Sequence, residues 1–139
     1  MFSKATIVST LVTSLYGYFG GWLIWGILVD PILTEHTSAG ASGLMRAMPD
    51  MMHLVIGCII VGFVISSIYR KWGSENYSAT SGLTFGIWVG LLLGFGEGMV
   101  NFALMDMMDI TGILIAGVTY VVFYAIMGLL AGLVYGKMG

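Results

Sequence analysis

The chain has 139 residues, 58% of them hydrophobic and 9% charged, with a mean hydropathy of +0.98. Soluble domains carry roughly 25% charged residues, so the composition excludes an ordinary soluble domain and specifies an integral membrane protein. A formal net charge of −2, with only five Lys and Arg residues, leaves no surface able to track a phosphate backbone and excludes nucleic acid as a partner.

Four stretches are long and apolar enough to cross a hydrocarbon core, which needs about 20 residues. The first is expected over 6–30, where Asp30-Pro31 stops it by charge and by the missing proline N–H. It follows one lysine, is too long for a signal-peptide core and lacks a clear cleavage site, so it reads as a retained helix. A polar loop, TEHTSAGASGLMRAMPD, leads to Pro49-Asp50 as the start of the second span, 51–70. RKWGSENYSATS separates this from the third span, 82–105, and DMMD makes a tight connection to the fourth, 111–135. The expected fold is therefore all-α: residues 1–139 form a single domain of four transmembrane helices in an antiparallel bundle.

Lys4, Arg70, Lys71 and Lys137 fall on one side of this arrangement and only Arg46 on the other. By the positive-inside rule both termini are expected in the cytoplasm, in the inner (plasma) membrane of a cell. Asp30, Glu35, Asp50, Asp106 and Asp109 then face outward, with Arg46 expected to pair with Asp50 at the surface. The single cysteine, Cys58, lies within an apolar run and supports no disulfide or cysteine metal site; it reads as a small buried hydrophobe.

Two matches at a constant offset of 66 residues raise the reading of duplicated helical hairpins. Phe19-Gly20-Gly21-Trp22 aligns with Phe85-Gly86-Ile87-Trp88, and Tyr69-Arg70-Lys71-Trp72-Gly73 with Tyr135-Gly136-Lys137-Met138-Gly139. Chance matching between apolar sequences accounts for the same observation. A duplication would be a parallel repeat, unlike the inverted repeats of many transporters.

Helices in lipid gain little from burying apolar surface on one another, so small residues that admit close backbone approach matter more. The third span carries Gly82, Gly86, Gly90, Gly94 and Gly98, and the fourth Gly128, Gly132 and Gly136. A spacing of four drifts only ~40° per step around the helix, which makes the third span the expected packing centre. On the same regular helix Glu97 and Asn101 fall within the glycine arc and are expected to face the bundle, Glu97 ~20 Å from the cytoplasmic end and Asn101 one turn further out. Trp25, Thr119 and Tyr120 lie at similar depth as hydrogen-bond donors. An intramembrane carboxylate is costly and marks either a proton or cation site or a residue that pins helix register.

Eight of the eleven methionines crowd the outward ends of the second and third spans: Met45, Met48, Met51, Met52, Met99, Met105, Met107 and Met108. Thioethers suit Cu(I), and Met45, Met48 and Met52 would share a helical face with His53 beside them. The competing reading is flexible hydrophobes at a membrane surface, with Pro49 breaking the helical spacing. No cofactor is expected. The sequence holds no nucleophile–base pair, and the glycine run GLLLGFGEG lies inside a membrane helix rather than after a strand, so an enzyme is not expected.

GGWLIWGILVDPIL, MRAMPDMMHLVIG and GLTFGIWVGLLLGFGEG together resemble a loose group of uncharacterised small bacterial four-helix inner-membrane proteins. The resemblance covers nearly the whole chain and implies a bacterial inner-membrane protein; it transfers no activity and no site residue. The expected function is that of a non-enzymatic structural or accessory subunit, or a homo-oligomer, packed through glycine-rich helices with almost no polar interior. Its expected partners are the bilayer and other membrane subunits or copies of itself. The alternative is transport of a proton or cation, or copper binding, using Glu97 and the outward Met/His cluster.

Overall fold

The computed structural model describes residues 2–139. Four helices cross the molecule: α1 (Lys4–Thr34), α2 (Met51–Trp72), α3 (Ala79–Leu104) and α4 (Ile110–Met138). Each is long and apolar enough to span a membrane, and the chain is an all-α, multi-pass membrane protein. One extra helical turn, Ala39–Ser42, sits in the α1–α2 loop.

Each span begins with a side-chain cap. Ser3, Asp50, Ser78 and Asp109 accept the backbone N–H of Thr6, His53, Ser81 and Gly112. Caps of this kind satisfy amides that a helix start cannot pair internally. The two serines mark the end of the bundle that holds the chain termini, and the two aspartates mark the other. Arg70, Lys71 and Lys137 close the last turns of α2 and α4, where positive charge opposes the helix dipole.

Asp30-Pro31 does not end α1. A π-helical stretch, Trp22–Val29, gives way to a fresh α-turn at Asp30–Thr34, with Asp30 N–H bonded to Trp25 O. Pro31 therefore occupies a first turn, where its missing N–H breaks no hydrogen bond. A second π-helical stretch, Leu91–Gly96, interrupts α3.

The packing centre is α4, not α3. It contacts α1, α2 and α3, whereas α2 and α3 barely touch, and its buried side runs from Gly112 to Tyr135. The glycines of α3 are the reason that these two helices come so close. A Cβ added to Gly82 would lie 2.8 Å from Gly132 Cα, one on Gly86 2.8 Å from Ala125 Cα, and one on Gly90 2.5 Å from Val121 Cα. Gly94 meets Gly117 in the same way, and Gly128 and Gly132 answer from α4 against Gly82 and Ser78. The stripe ends there: Gly98 only brushes Ile113, and Gly136 faces the Tyr77 carbonyl of a loop.

A different chemistry joins α1 to α2 and α4. Thr6, Ser9, Thr13 and Ser66 are fully buried, which corrects the expectation of an almost apolar interior. Ser9 and Ser66 hydroxyls pair at 2.8 Å, and Thr13 donates to the Ser9 carbonyl at 2.7 Å and lies 3.2 Å from the Gly62 carbonyl. Tyr135 donates to the Ser66 carbonyl at 3.0 Å while its oxygen pairs with Thr6 Oγ1 at 2.8 Å. Since the one phenolic proton goes to Ser66, Thr6 donates to Tyr135 and receives in turn from Ser3, 2.9 Å away. The result is a directional chain across three helices.

At the end opposite the chain termini the α1–α2 and α3–α4 loops are clasped together. Ser38 N–H donates to Met107 O at 2.9 Å, Asp109 N–H to His36 O at 3.0 Å, and Ser38 Oγ to Asp106 O at 2.7 Å.

Candidate functional site

Glu97 begins the α-helical turn that comes after the π-helical stretch of α3. A π turn bonds i to i+5, so it takes in an extra residue and rotates the downstream residues by roughly 100° relative to an uninterrupted α-helix. That rotation overturns the expected placement inside the glycine arc: Glu97 is exposed on the molecular surface, and Asn101 is half-buried. Phe95 takes the inward position, its ring lying against Gly117.

Both polar residues line a cleft of about 430 Å³ beside the α3–α4 seam. Gly94 and Gly98 line it with Ile113, Tyr120 and Tyr124 from α4, and Met105, Met107 and Met108 line its end near the α3–α4 loop. Neither side chain has a hydrogen-bond partner among the described residues. The donors expected at that depth are engaged differently. Thr119 donates to Ile115 O of its own helix at 2.8 Å. Trp25 packs its ring on Tyr120, centroids 4.7 Å apart, and the Tyr120 ring borders the cleft.

The methionine and histidine candidates do not converge. Helix α2 starts at Met51 with Asp50 as its cap, so Met45 and Met48 lie in irregular chain and share no helical face with Met52. All three are exposed. His53 Nδ1 is 2.7 Å from Asp50 Oδ2, a contact within one helix start. This pairing also replaces the expected Arg46–Asp50 contact: the Asp50 carboxylate is held below its usual range by His53, first through the side-chain hydrogen bond and then through the backbone amide. Among the described residues no three His, Cys, Asp or Glu side chains gather around a common point.

Asp109 is a two-handed residue that sequence reasoning left as a plain loop acid. One carboxylate oxygen caps α4 through Gly112 N–H at 2.7 Å, and the other lies 3.0 Å from His36 Nδ1. The His36 hydrogen bond, then the Gly112 amide, lower its pKa. The buried hydroxyl chain of α1 was also missed, although Thr6, Ser9, Thr10 and Thr13 recur at the three- and four-residue spacing of one helical face.

What the cleft offers chemically is a carboxylate, a carboxamide and three thioethers at the edge of a membrane helix pair. Comparison of the chain with protein-family models, with curated proteins and with solved structures returns no match, so the reading of this cleft stands on its geometry.

Proposed function

We propose that the protein is a non-enzymatic membrane subunit, built to be covered along the Glu97–Asn101 cleft by a helix of another subunit or of a second copy. The observation that carries this reading is the pair of unpartnered polar groups on the outer surface of α3. A carboxylate facing lipid costs ~2–4 kcal/mol on membrane-insertion scales, and a neighbouring helix that donates a hydrogen bond removes that cost. The glycine stripe does not serve this contact, because Gly82, Gly86, Gly90 and Gly94 are consumed by α4 within the same chain. The partner-facing surface is instead the rim where the stripe ends. The charge asymmetry supports both termini in the cytoplasm, and the resemblance given above supports a bacterial inner membrane.

The test is the mass of the purified particle in mild detergent. A mass above one chain, reduced to one chain by Glu97→Leu with Asn101→Leu, is the expected outcome. A wild-type mass of one chain with no co-purifying subunit overturns it.

A second reading is favoured by one feature: the same cleft gathers Met105, Met107 and Met108, thioethers that suit a soft monovalent cation, beside the Glu97 carboxylate, which would balance its charge. It predicts cation uptake by liposomes that Glu97→Gln abolishes. Wild-type flux no greater than that of empty vesicles, across cations and pH, ends it.

A further inference from the structure

A cavity of about 790 Å³ lies at the opposite end from the methionines, where α2 runs into the α2–α3 loop. Ser67, Ile68, Arg70, Lys71, Ser74 and Tyr77 line it. Two cationic side chains and three hydroxyls therefore share one concavity with no acidic lining residue; Glu75, in the same loop, is outside the lining. Neither Arg70 nor Lys71 forms an ion pair among the described residues, whose two carboxylate contacts both involve histidines. Ser67 Oγ is buried and lacks a hydrogen-bond partner, an unmet polar group in the wall of a basic pocket.

The pocket is held open by its surroundings. Tyr77 donates its hydroxyl to the Arg70 carbonyl at 2.7 Å, which fastens the loop to the end of α2. Tyr69, fully buried, donates to Ser78 O at 3.1 Å and accepts Ser78 N–H at 3.3 Å. Trp72, next in the chain to Lys71 and half exposed, is the residue type that settles at the headgroup level of a bilayer. Along α2, Ile60, Val64 and Ile68 are all exposed and recur every four residues, forming an apolar track that leads from the membrane interior to Lys71.

We propose that this pocket binds the phosphate group of an anionic membrane phospholipid, with an acyl chain lying along Ile60, Val64 and Ile68. The cations and hydroxyls match a phosphodiester, the position matches the headgroup layer, and the apolar track distinguishes a lipid from a soluble phosphate. Basic pockets beside membrane helices recognise such headgroups by this combination of charge and depth.

The experiment is native mass spectrometry of the full chain released from nanodiscs containing equal phosphatidylglycerol and phosphatidylcholine. Preferential retention of phosphatidylglycerol is expected, falling about fivefold for each charge removed in Arg70→Gln and Lys71→Gln. The Lys4→Gln/Lys137→Gln protein, which loses the same charge at the same end but outside the pocket, should retain the lipid as wild type does. An equal loss in that control overturns the pocket in favour of a general field. Ser67→Ala keeps both charges and the helix, and unchanged retention in it also overturns the proposal. Displacement of the lipid by millimolar inorganic phosphate or glycerol phosphate would make the ligand a soluble phosphate and refute the lipid assignment.

Discussion

Tyr69 and Tyr135 meet nearly edge to face inside the end of the bundle that carries the termini, ring centroids 5.7 Å apart, from corresponding ends of α2 and α4. Both are almost completely buried, and each spends its hydroxyl outside its own helix: Tyr69 on Ser78, Tyr135 on Ser66 and Thr6. Aromatic pairs in this geometry contribute beyond their buried area, so this pair fastens the end of the bundle that carries the termini.

Tyr135→Phe keeps the ring and removes the middle of the hydroxyl chain. A loss of about 1 kcal/mol is expected, between the mean for membrane interhelical hydrogen bonds and the cost of an unsatisfied buried group. Thermal unfolding in detergent measures it. Thr10→Val serves as the control, because Thr10 donates only to the Thr6 carbonyl of its own helix.

Gly86→Ala pushes a methyl group into the backbone of α4 beside Ala125, and overpacking of this kind costs roughly 1–3 kcal/mol. Gly57, on α2, has nothing within 4 Å of an added Cβ. Gly57→Ala should therefore leave stability within about 0.5 kcal/mol of wild type. Equal effects at the two sites would contradict the close α3–α4 approach.

Glu97→Leu removes no hydrogen bond of the fold and places an apolar side chain on a membrane-facing surface. The isolated chain should unfold at the same temperature or higher, while any complex through the cleft is lost. A clear fall in melting temperature would mean that Glu97 pins the chain itself.

The clasp between the α1–α2 and α3–α4 loops depends on the Asp109 carboxylate. Its pKa is lowered in the folded state by His36 and the Gly112 amide, so its contribution is full above the ordinary aspartate value, about 3.9. It is lost as pH falls below that value through the lowered one. Amide hydrogen exchange at Ser38 and Asp109, whose N–H groups form the clasp, should stay slow near neutrality and accelerate only in that acid range. Asp109→Asn should weaken protection already at pH 7.

Four spans, their order and the gathering of Lys4, Arg70, Lys71 and Lys137 at one end are legible in the sequence, because length, apolarity and charge are local properties that a bilayer sorts directly. The glycine spacing of α3 likewise announces a close helix neighbour. The 66-residue offset finds a counterpart in Tyr69 and Tyr135, which pack on each other, but not in Gly20 and Gly86. A Cβ on Gly20 would meet Tyr16 of its own helix, whereas Gly86 presses on α4.

Other features required the tertiary structure. Regular 3.6-residue phase puts Glu97 in the glycine arc, but the π-helical turns at Leu91–Gly96 rotate it to the rim, and no local pattern counts that extra residue. His36 and Asp109 lie 73 residues apart, and Thr6 and Tyr135 lie 129 apart, so only the fold could pair them. Sequence alone determined that the chain crosses a membrane four times and which end is basic. Tertiary structure decided which polar groups are satisfied within the chain and which, like Glu97, are left for a partner, because that depends on helix rotation and on contacts between distant segments.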